Sequence, residues 1–263
     1  MRPEAAAPCR PLVSTKSIAF ATALPHGWQF GRDTSNALTP GIGLYRQYLF
    51  FEQQMPGTER PSRVTLEMVP VGDPGNPSHS RTGYGRVNYE YDISKYEITI
   101  QQYATFLNAV AASDPYGLYN PSMGTDLNIA GIARSGSPGS YRYSVIGLAG
   151  VNPVGARSPG NRPIAYVSWF DAARFANWMH NGRGAGDTET GAYTLNGATK
   201  GQAVPMNAGA RFNIPTVDEW YKAAYYSASL NRGNGGYYVF PTQSNATQES
   251  VPGNNIKTLN APR

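Results

Sequence analysis

One local pattern occurs twice in this sequence, at Arg162–Trp178 and again at Asn213–Tyr225, and it constrains the fold more than any other feature. Each copy begins with a short extended segment, continues with a helix-start signal and ends in a run with aromatic residues at helical spacing. The start signal is a Ser or Thr followed three residues later by an acidic residue, the pair that forms a capping box. The pattern therefore predicts two helices, each reached from a short strand and packed through an aromatic face.

The first copy predicts a helix with defined ends. Ser168 and Asp171 form its capping box, and Asn181 with Gly182 is a pair typical of a helix C-terminus. Its predicted core face is Ala172, Phe175, Ala176 and Met179.

Two further helices are predicted from capping boxes at Thr216 with Glu219 and at Thr99 with Gln102. The predicted core face of the Thr216 helix is Trp220, Ala223 and Ala224. The predicted core face of the Thr99 helix is Tyr103, Phe106, Leu107 and Val110. About three capped helices are therefore expected, each stabilised at its cap by about 1 kcal/mol.

The strand signals are shorter and weaker than the helix signals. Alternating patterns predict strands within Val64–Val71 and Tyr89–Ile98, and a hairpin around Tyr141–Ile146. Together with the helices, these short strands, expected to pair antiparallel, indicate an α+β fold rather than a helical bundle.

We expect the chain to divide into two parts. Residues 1–62 show no sustained period and are expected to be an irregular N-terminal extension, whereas 63–263 are expected to form one domain. Two long segments of this domain, Asp114–Asn161 and Gly182–Ala210, are rich in turn-forming residues. Loops this long usually serve a function, so we expect them to present a surface for a protein or peptide ligand.

Composition excludes several classes of protein. Charged residues make up 15% and hydrophobic residues 40%, with Gly 29 and Pro 21, which indicates a loop-rich globular chain. The net charge is +5, but its basic residues are not clustered as a nucleic-acid surface requires. No run approaches the roughly 20 apolar residues of a membrane span. Ile18–Leu24 is only a weak secretion signal, which leaves a cytoplasmic and an exported location both open.

Three blocks of this sequence resemble the formylglycine-generating enzyme (sulfatase-modifying factor) superfamily. Ile93–Phe106 is similar to its E-V-T-x-x-x-Y-x-x-F opening, Pro163–Ala172 to P-V-x-x-V-S-W-x-D-A, and Ile214–Trp220 to L-P-T-E-x-E-W. Each block alone is a weak signal, but three in the family's order are specific. The resemblance extends over about Arg63–Asn245 and implies a C-type-lectin-like fold.

The resemblance also implies an oxidation reaction, but this sequence lacks motifs that the family uses for it. True oxidases of the family continue to a G-N-V-x-E-W block and a cysteine pair that binds copper, and structural calcium also occurs in the family. The chain reaches Arg263 with neither block nor pair, so we expect a truncated domain or a reduced relative. Asn213 stands where the family usually has Arg, and Ala176 where it often has Cys.

The single cysteine argues against the family's oxidation. Cys9 lies outside the resembling blocks, and one thiol forms neither an intrachain disulfide nor a two-cysteine copper site. We interpret it as an incidental thiol. Some relatives hold iron with three histidines, but His26, His79 and His180 are far apart in sequence. His180 is expected in the last turn of a helix, where the dipole favours a cation.

The carboxylates and tryptophans are interpreted as structural. Asp171 and Glu219 are expected to cap helices, and the resemblance makes Glu97 a signature of the fold rather than a catalyst. Three of the four tryptophans, Trp169, Trp178 and Trp220, are expected in the core, with a peptide groove as the alternative. Oxygen donors at alternate positions of Gly186–Gly191 suit calcium, but a solvated turn is the preferred interpretation.

The sequence thus predicts a non-catalytic or incomplete sulfatase-modifying-factor-like binding module, with no catalytic, cofactor-binding or metal-binding residue assigned. The main alternative is a fragment of a formylglycine-generating oxidase that acts on a cysteine of sulfatases. A calcium-dependent lectin-like binding protein is the second alternative. No cofactor is evident in the chain itself.

Overall fold

A computed structural model of the protein describes residues 16–20, 64–126, 129–147, 158–241 and 243–245. The strands are β1 (Lys16–Ser17), β2 (Met68–Val71), β3 (Tyr91–Ser94), β4 (Ile132–Ser135), β5 (Arg142–Val145), β6 (Phe212–Asn213), β7 (Tyr226–Ser227) and β8 (Gly236–Tyr237). The helices are α1 (Ile100–Val110), α2 (Ser122–Thr125), α3 (Trp169–His180), α4 (Val217–Tyr225) and the short, irregular α5 (Leu230–Gly233), with a 3₁₀ turn at Pro159–Asn161. No helix among the described residues is both long and apolar enough to cross a membrane.

The three predicted capping boxes are confirmed at the starts of α1, α3 and α4. In each box the N-cap hydroxyl accepts the backbone N–H three residues on, and the side chain at that position accepts the N-cap N–H. The pairs are Thr99 with Gln102, Ser168 with Asp171 and Thr216 with Glu219. Local hydrogen bonding therefore sets where the three longer helices begin.

The core is built where α1 and α3 pack against each other. Phe175 is fully buried, with its ring centroid 5.3 Å from that of Phe106, 5.6 Å from that of Trp178 and 5.4 Å from that of Phe20. The core face predicted for α3 is confirmed, and small alanines on it let the aromatic rings approach closely. The face predicted for α1 is confirmed except that Val110 is only partly buried.

The core face predicted for α4 is wrong. Ala223 is exposed and Trp220 only partly buried, whereas Tyr221, Lys222 and Tyr225 are buried. The helix is turned so that these long side chains lie inside, where the hydroxyl of Tyr221 reaches His79 Nδ1 at 2.6 Å and Lys222 Nζ reaches the carbonyl of Asp73 at 2.8 Å. The face that was predicted to be core instead borders a groove.

The main sheet has the strand order β2-β3-β1-β6. β2 and β3 are antiparallel, but β1 runs parallel to both β3 and β6, so the expectation of antiparallel strands is only partly correct. Two hairpins complete the described strands, β4 with β5 and β7 with β8. The first of these confirms the hairpin predicted around residues 141–146.

Strand β1 comes from the stretch that was predicted to be irregular. Ile18 is fully buried, and its backbone N–H donates to the carbonyl of Asn213 at 2.6 Å. The carbonyl of Ala19 accepts the N–H of Ile98 at 3.0 Å. For residues 16–20 the expectation of irregular structure is therefore wrong, because a two-residue strand has no period that a sequence pattern can show. The domain boundary near residue 62 stays a prediction.

We expect Ile18→Ala to lower the free energy of unfolding by about 2–4 kcal/mol, because it removes a fully buried aliphatic side chain and leaves a cavity. Urea denaturation measures this change. Lys16→Ala, at an exposed position of the same strand, is the control and should have little effect. Equal stabilities of the two variants would contradict the placement of β1 in the core.

Candidate functional site

A groove lies between the antiparallel strands β2 and β3 and helix α4, and we call it the sheet–helix groove. Its cavity volume is about 460 Å³. The apolar part of its lining includes Val69 and Ile93 from the sheet and Trp220, Ala223 and Ala224 from the helix. The charged side chains of its lining are Asp73, Lys95, Glu97 and Lys222.

The groove exists because of the orientation of α4. The buried side of this helix packs through Tyr221, Lys222 and Tyr225, so its alanine side is left facing the strands. Alanine side chains are too small to fill the space above a sheet, and the large Trp220 closes only part of it.

Glu97 is the titratable group of this groove with the most unusual environment. It follows strand β3, is partly buried and makes no side-chain hydrogen bond or ion pair with any described residue. Burial raises the pKa of its carboxyl to about 7. A perturbed carboxyl in a mostly apolar cavity is typical of a functional site.

The two lysines of the groove, unlike Glu97, have partners. Lys222 Nζ donates to the carbonyl of Asp73 at 2.8 Å and lies 5.8 Å from the ring centroid of Tyr226. Burial lowers the pKa of Lys222, and the charges of Asp73 and Glu90 act in the opposite direction. Lys95 Nζ pairs with Glu67 at 2.6 Å, which raises the pKa of Lys95.

Asp171 and Glu219 perform the capping role that was predicted for them. An Asp171 carboxylate oxygen accepts the Ser168 N–H at 2.9 Å, and burial raises the pKa of this carboxyl. Glu219 accepts the Thr216 N–H at 2.8 Å and the hydroxyl of Tyr89 at 2.7 Å. Both carboxylates are occupied within the fold, which distinguishes them from Glu97.

His79 lies in an aromatic cluster near the β7–β8 hairpin. Its Nδ1 is 2.6 Å from the hydroxyl of Tyr221, and its ring stacks on Tyr237 with centroids 5.1 Å apart. Burial and the charge of Arg81 lower the pKa of His79. His26 lies outside the described residues, and so does Cys9.

His180 lies in the last turn of α3, as predicted. Its Nδ1 accepts the backbone N–H of Arg211 at 3.0 Å. Burial and the charge of Arg211 lower the pKa of His180, so the expectation of a favoured cation there is wrong. Among the residues that the structure describes, no three His, Cys, Asp or Glu side chains are grouped so that they could hold a metal ion.

The candidate calcium loop forms a hydrogen-bonded turn. The carboxylate of Asp187 accepts the N–H of Glu189 at 2.8 Å and that of Thr190 at 3.2 Å. The hydroxyl and N–H groups of these neighbours lower the pKa of Asp187. Glu189 is turned towards α3, where it accepts Arg174 Nε at 2.7 Å. These hydrogen bonds occupy the carboxylate oxygens of Asp187 and Glu189 that a calcium ion would need as ligands.

The three tryptophans that were predicted to lie in the core differ in role. Trp178 is buried in the core, and its indole N–H donates to the carbonyl of Gly184 at 2.7 Å. Trp169 is partly buried and packs edge-on against Tyr193, with ring centroids 5.2 Å apart. The core prediction is wrong for Trp220, which lines the sheet–helix groove.

Sequence reasoning missed the groove and the position of Glu97 in it. The sequence did contain one signal for Glu97. This carboxylate stands between a predicted strand and the N-cap Thr99, and the cap does not use it because Gln102 completes the capping box. The opposite wall of the groove depends on the rotation of α4, for which the sequence contains no local signal.

Comparison with models of protein families matches residues 72–257 to the sulfatase-modifying factor enzyme 1-like domain. The match covers well over half of the 263 residues. Neither a curated protein nor a solved structure matches the chain significantly.

We expect Glu97→Gln to stabilise the protein in a pH-dependent way. The folded-state pKa of Glu97 is raised from 4.5 to about 7, so the folded state holds a proton that the unfolded state loses between these values. Wild-type stability therefore falls as the pH rises through this window, and the glutamine variant avoids the loss. Allowing for partial exposure, the difference should be near zero at pH 4 and roughly 1–3 kcal/mol at pH 8.

Urea denaturation of both proteins at pH 4, 6 and 8 measures this difference. Glu67→Gln is the matched control, because Glu67 is exposed and its ion pair with Lys95 lies at the surface. A constant difference between wild type and Glu97→Gln at all three pH values would contradict the buried, unpaired state of Glu97.

Proposed function

Because the chain belongs to the sulfatase-modifying factor enzyme 1-like family, we propose that it is a binding module of that family which holds its ligand in the sheet–helix groove and does not generate formylglycine. The family has a C-type-lectin-like fold, and the mixture of helices and short strands in the structure is consistent with it.

The cysteine content supports the absence of oxidation. Copper-dependent oxidation in this family needs thiolate ligands, and Cys9 is the only cysteine of the chain. It lies outside the matched residues 72–257. One thiol there cannot provide the cysteine pair that the family's oxidases use.

The observation that most strongly supports ligand binding is the groove itself. A volume of about 460 Å³ falls within the range of about 300–1,000 Å³ that is usual for ligand sites. Its lining combines apolar surface with Glu97, whose carboxyl has no partner among the described residues. Such a group is stabilised when a ligand supplies the missing hydrogen bond.

The groove is a better candidate surface than the long loops that the sequence indicated. Asn177 Nδ2 holds the second loop through the carbonyls of Thr188 at 2.8 Å and Tyr193 at 3.0 Å. Asn108 binds both the N–H and the carbonyl of Tyr143 in the first. The polar groups at these positions are used within the fold, so they contribute less to a binding surface.

A second candidate function is that of a fragment of a formylglycine-generating oxidase, which the intact family blocks around α1, α3 and α4 favour. The discriminating observation is the coding DNA beyond Arg263. A G-N-V-x-E-W block followed by a cysteine pair, in any frame, would support the fragment, and its absence would remove this candidate.

We expect no oxidation when the chain is incubated with copper, oxygen and a cysteine-containing sulfatase peptide, because it lacks the second thiolate. Mass spectrometry of the peptide measures aldehyde formation. An active oxidase of the family serves as the positive control. Turnover above the copper-only background would overturn the non-catalytic proposal.

We expect small aromatic compounds to bind in the groove and Ala223→Trp to abolish their binding, because the indole would occupy the cavity. Ligand-observed NMR with a fragment library measures binding. Ala203→Trp is the matched control, since Ala203 is exposed and does not line the groove. Binding that survives Ala223→Trp would place the site elsewhere.

A further inference from the structure

We propose that the sheet–helix groove binds a small organic cation, an ammonium or guanidinium group on an apolar stem, and that the carboxylate of Glu97 receives the cationic group. The inference rests on the proposed function, because it assumes that the groove is the ligand site. It adds the chemical class of the ligand and the residue that recognises it.

The charge distribution in the groove is the first argument. Lys95 is paired with Glu67, and Lys222 donates to the carbonyl of Asp73. The carboxylate of Asp73 in turn accepts the hydroxyl of Tyr226. Glu97 is therefore the charged group of the groove that lacks a partner within the described residues.

This distribution of charges indicates that the ligand group that pairs with Glu97 is positively charged. A carboxylate is best satisfied by a charged donor, because charge-assisted hydrogen bonds are stronger than neutral ones. An anionic ligand would be repelled by Glu97, whereas the charge of Lys95 is already offset by Glu67 and Lys222 Nζ already donates to the carbonyl of Asp73. The groove thus favours a cation over an anion of the same shape.

The apolar lining indicates which kind of stem the cationic group of the ligand is attached to. Val69 and Ile93 on the sheet, with Ala223 and Ala224 on the helix, offer a wall that gains from contact with hydrocarbon. Trp220 adds an indole, the aromatic side chain that interacts best with cations and with flat rings. A short aromatic or aliphatic stem therefore fits beside the charged end.

Binding should depend on pH through Glu97. Its pKa of about 7 means that the carboxylate form rises from about a tenth at pH 6 to about nine-tenths at pH 8. An organic ammonium remains protonated over this range, so its affinity should rise about tenfold.

Other titratable groups line the same cavity, and the variants must separate their effects from that of Glu97. They are Asp73 after β2, Lys95 and Tyr96 after β3, Lys222 on α4 and Tyr226 on β7. Burial raises the pKa of Tyr226 to about 12, far above the range tested. Lys222 is the group whose pKa burial moves downwards, so the test must exclude it.

The experiment is a calorimetric or NMR titration of the full chain with three probes that share one stem. Phenethylamine is the cation, 2-phenylethanol the neutral analogue and 3-phenylpropanoate the anion. At pH 8 we expect phenethylamine to bind at least tenfold more tightly than either of the others. From pH 6 to pH 8 its affinity should rise about tenfold.

Two variants assign the effect. Glu97→Gln should lower the affinity for phenethylamine at least tenfold at pH 8, remove its pH dependence and leave 2-phenylethanol unchanged. A pH dependence that persists in Glu97→Gln would point to Lys222 and overturn the role of Glu97. Asp187→Asn, which alters an exposed carboxylate outside the lining, should leave all three affinities unchanged.

The failures of the two proposals are distinguishable. If Ala223→Trp affects none of the probes, or none binds, the groove is not the ligand site and the proposed function fails. If 2-phenylethanol or 3-phenylpropanoate binds as tightly as the amine and depends on Ala223, the groove is the site but the preference for a cation is wrong. Thermal melting of each variant with circular dichroism confirms that it is folded.

A last comparison identifies the source of the cation. Butylamine represents a free small molecule, and Nα-acetyl-lysine methylamide represents the same ammonium on a polypeptide. Tighter binding of the first supports a small-molecule ligand, and tighter binding of the second supports a basic side chain of a peptide. If Glu97→Gln binds both probes as tightly as the wild type does, the proposal is overturned for both sources.

Discussion

The buried carboxylate of Glu219 is the interaction on which the arrangement of this domain depends. It caps α4 through the N–H of Thr216 and accepts the hydroxyl of Tyr89, 130 residues earlier in the chain. One of its oxygens also lies 3.4 Å from the hydroxyl of Ser17 in β1. One side chain therefore joins a helix start, the segment before β3 and the N-terminal strand, and a buried carboxylate is stable only when such partners are all present.

This connection determines the orientation of α4, and the orientation creates the groove. Glu219 and Lys222 lie on the same side of the helix, so anchoring one buries the other, and Lys222 reaches the carbonyl of Asp73. The adjacent side, with Ala223 and Ala224, then faces β2 and β3 across open space. The cavity is thus a consequence of satisfied polar groups in the core rather than of a gap in hydrophobic packing.

The success of the sequence predictions follows the range of the interactions involved. Ser168 and Asp171 bond across three residues, so the start of α3 was predictable, and so was the core face that its aromatic and small residues form. The face of α4 was not predictable, because Tyr221 and Lys222 resemble surface residues until distant partners are known. Strand β1 was missed since two residues carry no period.

By itself, the sequence determined the family, the three capped helix starts and the scarcity of thiols, because each rests on residues a few positions apart or on a simple count. Only the tertiary structure decided that Glu97 lines a groove without a partner among the described residues and that Trp220 faces it. The physical reason is distance along the chain. The bond between Lys222 and Asp73 spans 149 residues, and such pairings form only when the whole core is assembled.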